Sequence, residues 1–155
     1  KQLKNMQQRL VSKLHNHLQQ FYPELLIGLE DRGETNTYLN QKTNRVESLI
    51  QRLKATGTPN YIIEEECLHT LTADLGVSRY NYLQALLEQE FETVYYRMWG
   101  TGTLHYELIN LINFCASIFE SFDFCEANED DRMLRYAIIG TVQEYLDTLN
   151  QPHGL

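Results

Sequence analysis

The sequence predicts an all-α protein, folded as a compact six-helix bundle of orthogonal or irregular arrangement with a buried central helix. Six stretches carry apolar residues at the three- and four-residue spacing of one helix face. Most of these stretches are bracketed by residues that start or stop helices. Glycine (8) and proline (3) are too sparse among 155 residues for a turn-rich β protein. We therefore predict a single helical domain over residues 1–155, with no linker that divides it.

The first helix is predicted over about residues 3–21, where apolar residues form one stripe. The stripe consists of Leu3, Met6, Leu10, Leu14, Leu18 and Phe21. Pro23 ends the helix, because a proline ring disfavours the helical conformation of the residue before it, here Tyr22. Two glycines flank the polar residues that follow, so we expect a loop over residues 28–33.

Capping residues delimit the second and third helices. Thr35 or Asn36 starts the second helix, and Gly57 ends it. Thr58 caps the third, whose first position, Pro59, has no N–H that needs a partner. The two apolar stripes are Leu39, Val46, Leu49, Ile50 and Leu53, and then Ile62, Ile63, Cys67, Leu71 and Leu75.

The fourth and fifth helices supply the predicted centre of the bundle. Gly76 suits the left-handed residue that ends the third helix, and Ser78 caps the fourth, which ends before Gly100. Thr103 caps the fifth. The inward-facing residues are Tyr82, Leu83, Leu86, Leu87, Phe91 and Val94 in the fourth helix, and Leu104, Leu108, Ile109, Leu111, Ile112, Phe114, Cys115, Ile118 and Phe119 in the fifth. Apolar residues occupy more than one face of the fifth helix, so we expect it to be the most buried.

An acidic segment over residues 125–131 precedes the sixth helix, which continues to Leu149. Its acids lie near a helix N-terminus, where the helix dipole favours negative charge. They lack the spacing of a calcium-binding loop, so we expect a solvated connection. The sixth helix carries Met133, Leu134, Ala137, Ile138, Thr141, Tyr145, Leu146 and Leu149.

The charge and the cysteines restrict the class of partner and the compartment. The net charge of −8 repels phosphate backbones and anionic lipids, so nucleic acid is a disfavoured partner and membrane binding is not expected. Cys67, Cys115 and Cys125 are odd in number and irregularly spaced, which indicates buried, reduced thiols in a cytoplasmic protein. No signal-peptide core follows Lys1, and the missing methionine is expected of a processed or incomplete N-terminus.

Motifs of catalytic or metal chemistry are weak in this sequence. Glu66 and His69 have the spacing of a carboxylate-bridged di-iron helix, but no second copy exists. His15-Asn16-His17 lies within one amphipathic helix, where His15 and His17 point to different faces and cannot easily share a metal ion. Nucleophile-elbow and phosphate-loop glycine patterns are missing from the sequence. We expect no enzyme, no cofactor and no metal.

A helix-turn-helix-like corner is predicted at residues 72–83. Leu75-Gly76-Val77-Ser78-Arg79 is typical of the turn before a DNA recognition helix. The residues after it argue against DNA, because residues 80–92 carry three Glu and neither Lys nor Arg. An ordinary corner between two helices explains the same residues.

Aromatic residues cluster around the fourth helix and its exit. Tyrosine and tryptophan are enriched at protein interfaces because each combines a large contact area with a polar group. The candidate interaction surface comprises Arg79, Tyr80, Tyr82, Tyr95, Tyr96 and Trp99. The alternative is that these side chains cover the core with their hydroxyls in water.

The order of several short motifs resembles a known family. These are Leu18 with Pro23-Glu24-Leu25, Leu75 with Ser78-Arg79-Tyr80-Asn81, Leu87-Glu88-Gln89-Glu90-Phe91, Glu107-Leu108, Cys115 with Phe119, and Gly140-Thr141-Val142 with Tyr145-Leu146. Over roughly residues 14–149 the chain resembles uncharacterised Bacteroidetes domains of unknown function that are often carried on conjugative transposons. The resemblance implies a compact, cytoplasmic all-α domain linked to a mobile element, and it implies no activity or catalytic residues.

Three functions follow from these patterns, in decreasing order of support. The first is a non-enzymatic protein–protein interaction or accessory module, whose partner is another protein or a second copy of the chain. The second is a DNA-associated regulator that uses the corner at residues 72–83. The third is an enzyme or a metal-binding helical bundle.

Overall fold

The protein is all-helical, as predicted. A computed structural model of the chain describes residues 2–150, with side chains from Asn5 onward. Within this part, the chain forms ten α-helices and two short 3-10 helices and contains no strand. The α-helices are α1 (Gln2–Phe21), α2 (Pro23–Asp31), α3 (Thr35–Asn44), α4 (Glu47–Ala55), α5 (Asn60–Thr72), α6 (Arg79–Glu90), α7 (Glu92–Thr101), α8 (Leu104–Phe114), α9 (Ala116–Ser121) and α10 (Arg132–Leu149). The 3-10 helices are Ala73–Leu75 and Glu126–Asn128.

The chain divides into two compact units between Gly76 and Val77. We call residues 1–76 the N-terminal unit and residues 77–155 the C-terminal unit. Each has an apolar core of its own. Because the boundary has no Pro- or Ser-rich linker, composition does not reveal it. The single domain over residues 1–155 therefore remains a prediction from the sequence.

The N-terminal unit is built around α1, which contacts α2, α3 and α5. The predicted stripe of α1 is confirmed at Met6, Leu10, Leu14 and Leu18, which are buried, whereas Phe21 is only partly buried and lies outside the core. The side chain of Leu3 lies outside the described residues. The stripe packs against apolar residues of the other helices, namely Leu26, Leu39, Ile50, Ile63, Cys67 and Leu71. Spacing at three and four residues was therefore a sound guide to the core of this unit.

Two buried charges in the N-terminal unit have partners. Glu64 of α5 lies 2.7 Å from Arg9 Nε and 2.8 Å from Lys13 Nζ, both on α1. Lys42 of α3 donates to both Asp74 carboxylate oxygens, at 2.5 and 2.6 Å, and to the Leu71 carbonyl at 3.2 Å. The Lys42 hydrogen bond holds the pKa of Asp74 below its usual range. These bonds tie α1 to α5, and α3 to the C-terminal end of α5.

The C-terminal unit packs α6, α7, α8, α9 and α10 around one core. Its fully buried side chains include Leu83 and Leu87 of α6, Leu108 and Leu111 of α8, and Phe119 of α9. Leu134, Ile138 and Val142 of α10 complete this core at helical spacing. The predicted central buried helix is not confirmed, because Tyr106 and Phe114 of α8 are exposed.

Ten α-helices form instead of six because three predicted helices are interrupted and α2 forms where a loop is expected. The breaks lie at Arg45–Val46, at Phe91 and at Cys115. Phe91 has φ −135° and ψ 51°, yet its N–H donates to the Leu87 carbonyl at 2.8 Å and its carbonyl accepts from the Tyr95 N–H at 2.9 Å. The chain therefore turns without leaving these backbone groups unpaired. An apolar stripe continues through such a turn, so spacing alone predicts one helix.

The loop expected over residues 28–33 is largely helical. Pro23 both follows the end of α1 and occupies the first turn of α2, where its missing N–H costs nothing. Leu26 and Leu29 are the buried residues that anchor α2. The turn begins only after Asp31, and Gly33 takes a left-handed φ of 67°. Proline was interpreted as a stop signal, but it also starts helices.

Helix capping was predicted correctly at some positions and wrongly at others. The Ser78 hydroxyl accepts from the Asn81 N–H at 3.0 Å, as predicted. Gly76 has a positive φ of 73°, which favours glycine, but its ψ of −167° is not that of the left-handed helical cap that the sequence predicts. The predictions for Thr58 and Thr103 were wrong, since neither side chain caps a helix. Each hydroxyl instead pairs with a threonine two residues earlier, at 3.0 Å.

We expect the substitution Asp131→Ala to lower the free energy of unfolding by about 1 kcal/mol. The Asp131 carboxylate accepts from the backbone N–H groups of Met133 at 2.7 Å and Leu134 at 3.4 Å, which caps α10. The matched control is Asp130→Ala, which removes the neighbouring charge but no cap. Urea denaturation measures both variants. Equal losses would show that local charge, rather than the cap, stabilises α10.

Candidate functional site

The predicted aromatic surface separates into buried and exposed side chains. Tyr80 is 9% exposed and Tyr95 is 4% exposed, so both belong to the core of the C-terminal unit. The Tyr80 hydroxyl shares a hydrogen bond of 2.9 Å with His105 Nδ1, and burial raises the pKa of Tyr80. Neither Tyr80 nor Tyr95 therefore exposes much surface to a partner.

Tyr82 and Arg79 cover the core beside Phe119. The Tyr82 ring makes edge contacts with the Phe119 ring at 5.7 Å and the Phe124 ring at 5.1 Å. The Arg79 guanidinium lies 5.2 Å from the centre of the Phe119 ring, a cation–π contact. Arg79 is therefore already engaged with its own unit.

Tyr96 and Trp99 of α7 form an exposed pair. Tyr96 is 49% exposed and Trp99 is 61% exposed, and their rings stack at 6.1 Å with an interplanar angle of 15°. The buried ring of Tyr95 supports both through edge contacts at 5.1 and 6.0 Å. We call Tyr96 and Trp99 the aromatic pair.

Acidic side chains accompany the aromatic pair. The Tyr96 hydroxyl donates to the Glu88 carboxylate at 3.3 Å, and the charge of Glu88 raises the pKa of Tyr96, with a smaller contribution from Glu92. The sequence of the C-terminal unit holds twelve acidic and four basic residues, whereas that of the N-terminal unit holds nine of each. The net charge of −8 therefore resides entirely in the unit that carries the aromatic pair.

A separate pocket of about 190 Å³ opens between α7, α8 and the end of α10. Its apolar lining is Val94, Met98, Leu146 and Leu149. Arg97 and Glu107 bring one charge of each sign to the same pocket.

Glu107 is held in place by a tyrosine on the neighbouring helix. The Tyr145 hydroxyl of α10 donates to Glu107 Oε2, and burial together with this hydrogen bond raises the pKa of Tyr145 to about 12. Tyr145 is therefore a protonated donor at neutral pH. Sequence reasoning missed Arg97, Glu107 and Tyr145 as a group, because no local spacing signals that three helices bring them together.

The corner at residues 72–83 has some features of a helix-turn-helix. Ala73–Leu75 forms a 3-10 turn, Gly76 has a positive φ and Ser78 caps α6. The boundary between the two units falls within this corner. The exposed side of α6 carries acids, Glu88 and Glu90, that would face a phosphate backbone unfavourably.

The motifs considered for metal binding do not assemble into a site. Glu66 and His69 are exposed on α5, and within residues 2–150 no group of three potential ligands is placed to hold a metal ion. His17 packs against the Phe21 ring at 4.9 Å and the Tyr22 ring at 5.7 Å, and burial lowers its pKa.

Two of the three cysteines match the expectation. Cys67 and Cys115 are buried free thiols, and burial raises the pKa of Cys115 to about 12. The expectation was wrong for Cys125, which is exposed because it begins the surface turn before α10.

None of the helices in the described part of the chain is long and apolar enough to cross a membrane.

The fold and these sites define an all-α protein with an exposed aromatic pair on an acidic unit. The chain is similar in structure to protein PG0816 from Porphyromonas gingivalis, known from a crystal structure, with a TM-score of 0.69 and 20% sequence identity over 99% of both chains. At this identity the likeness shows the fold alone. No protein-family model matches the chain, and no curated protein matches it.

Proposed function

We propose that the protein is a non-enzymatic protein-interaction module that docks a partner on the aromatic pair. The observation that carries the proposal is the stacked, exposed arrangement of Tyr96 and Trp99. Trp99 is the single tryptophan of the chain, and the structure leaves more than half of it in water. Tryptophan and tyrosine in such positions often dominate the binding energy of an interface.

The aromatic pair is already ordered before a partner binds. The Tyr95 ring makes edge contacts with both rings, and the Glu88 carboxylate accepts a hydrogen bond from the Tyr96 hydroxyl. A ring held in one orientation loses little conformational entropy on binding, which favours affinity. The arrangement therefore suits a docking surface better than a solvated edge of the core.

The charge around the pair favours a basic partner. An arginine side chain can stack on an aromatic face and form a bidentate ion pair with a carboxylate, and Glu88 and Glu92 lie close to the pair. We therefore propose that the partner is a protein that presents an arginine-containing basic segment. Docking of the pair against the same surface of a second copy would bring two units of charge −8 together, which disfavours a homodimer through this surface.

An accessory role on a mobile element is part of this proposal. The order of motifs described above supports that role by resemblance to transposon-borne domains. A DNA-associated regulator is the second candidate, and a turn glycine with positive φ, Gly76, followed by the capped helix α6 favours it. Engagement of Arg79 with Phe119, and the acidic face of α6, speak against that candidate.

The proposal is tested by a crosslinked pull-down from native cells with matched variants, each with and without nuclease treatment. The double variant Tyr96→Ala/Trp99→Ala is compared with wild type and with Tyr136→Ala, which removes an equally exposed ring from α10. We expect a protein partner that survives nuclease, is retained by Tyr136→Ala and is lost from the double variant. Loss of all partners on nuclease treatment would favour the DNA candidate, and retention by the double variant would place docking elsewhere.

A further inference from the structure

The pocket between α7, α8 and α10 has the composition of a small-ligand site. Val94 and Met98 of α7 face Leu146 and Leu149 of α10 across it, which gives an apolar wall on two sides. The pocket faces α7 through positions 94, 97, 98 and 101, whereas Tyr96 and Trp99 lie on another face of the same helix. It is therefore separate from the aromatic pair and does not rest on the proposed function.

The two charged residues of the pocket are not neutralised by each other. Among the described residues, Arg97 and Glu107 form no ion pair, although both line the cavity. Glu107 Oε2 accepts from Tyr145, and its second oxygen has no hydrogen-bond partner in the described part of the chain. A half-buried carboxylate fixed on one oxygen can accept from a ligand cation on the other.

The two threonine hydroxyls beside the charges already bond to each other and to the backbone. The hydroxyls of Thr101 and Thr103 lie 3.0 Å apart, and the Thr101 hydroxyl also donates to the backbone of α7. Both hydroxyl protons are used in these bonds, so neither threonine donates to a ligand. Specificity in this pocket therefore depends on Arg97, Glu107 and the apolar wall, with the Asn150 amide as a further polar group of the lining.

We propose that this pocket binds a free α-amino acid with a branched aliphatic side chain. The ligand ammonium pairs with Glu107, the ligand carboxylate pairs with Arg97, and the side chain packs against Met98 and Leu146. A zwitterion complements one fixed anion and one fixed cation, whereas a simple amine or a simple acid leaves one of them unpaired.

The size of the pocket agrees with this class of ligand. Its volume is about 190 Å³. A buried apolar cavity of roughly 150 Å³ holds benzene, so the apolar part of a leucine-sized molecule fits while its charged groups reach the rim. Arg97 is exposed at that rim, where its guanidinium remains partly hydrated until a carboxylate binds.

Three probes that differ by one charged group test the proposal. L-leucine, 3-methylbutylamine and 4-methylpentanoate share one branched side chain and carry both charges, only the cation, and only the anion. Binding to the full chain is measured by titration calorimetry and by chemical-shift changes of the Met98 methyl group. We expect L-leucine to bind at least about tenfold more tightly than either of the other two.

Conservative substitutions test which residue of the pocket binds which charged group of the ligand. Glu107→Gln keeps an acceptor for Tyr145 and is expected to weaken L-leucine and the amine by about tenfold without affecting the acid. Arg97→Gln is expected to weaken L-leucine and the acid by a similar factor without affecting the amine. Glu144→Gln and Arg132→Gln, on exposed positions of α10 outside the pocket, are the matched controls and should bind L-leucine as wild type does.

The proposal is overturned by any of three outcomes. These are L-leucine binding no better than the two singly charged probes, L-leucine binding equally well to the Glu107 and Arg97 variants, and L-leucine shifting only signals far from Met98. A folded variant is verified by circular dichroism before titration, so that loss of binding is not loss of structure.

Discussion

Replacing Phe119 with alanine is expected to lower the free energy of unfolding by about 3–5 kcal/mol. Phe119 is completely buried, and its ring contacts the Tyr82 ring, the Phe124 ring and the Arg79 guanidinium. Alanine leaves a cavity beneath three side chains that close the end of the core, and none of them can fill it without giving up another contact.

The control for this substitution is Phe114→Ala, which removes the same ring from the surface of α8. Phe114 is 43% exposed and tilts against Tyr145. Its loss is expected to cost less than about 1.5 kcal/mol, since nearly half of its area stays in water on folding and no closed cavity is left behind. Urea denaturation followed by circular dichroism measures both variants. Equal losses would show that Phe119 is not a core residue.

Replacing Trp99 with alanine is expected to weaken partner binding by about 2 kcal/mol or more, a factor of roughly thirty, with little change in stability. The indole ring is 61% exposed and contacts only Tyr95 and Tyr96 among the rings of the described residues. An exposed ring contributes little to folding, but it becomes fully desolvated when a partner covers it.

The charge reversals Glu88→Lys and Glu92→Lys test how much the acidic charges contribute to binding, apart from the aromatic rings. They are expected to slow association and to weaken its salt dependence, because the local attraction for a basic partner is reduced. Tyr136→Ala is again the control and should bind as wild type does. Binding kinetics at two ionic strengths measure all variants against the partner recovered in the pull-down. Unchanged kinetics in the charge reversals would contradict the assignment of a basic partner.

Much of the fold could be predicted from the sequence, because each buried stripe repeats at helical spacing. Leu10, Leu14 and Leu18, or Leu134, Ile138 and Val142, show this directly. The breaks could not be predicted. Phe91 is an ordinary apolar residue that neither glycine nor proline marks, and its turn depends on how the flanking helices pack. Tertiary contacts therefore decide where a long stripe bends.

The candidate site was predicted less well for a similar reason. Tyr95 and Tyr96 are neighbours in sequence with the same side chain, yet one is buried and the other is exposed. Which face of α7 meets the core depends on the turn at Phe91, which the sequence does not signal. The pocket is even harder to predict from the sequence, since Arg97, Glu107 and Tyr145 come from three helices. Residue type identified the aromatic candidates, and only the structure separated them.

The net charge of the whole chain does not reveal that the two units differ in charge. A net charge of −8 spread over the whole chain would disfavour any anionic partner equally. The N-terminal unit is neutral by sequence, while the C-terminal unit carries the whole excess. Selection of a basic partner is therefore a property of the C-terminal unit.

Acrylamide quenching of Trp99 fluorescence tests the central claim most directly, because the chain contains no other tryptophan. The protein is measured alone and then saturated with the nuclease-resistant partner from the pull-down. We expect strong quenching in the free protein and a severalfold decrease in the quenching constant when the partner covers the ring. Weak quenching in the free protein, or a bound complex in which Trp99 remains as accessible as before, would contradict docking on the aromatic pair.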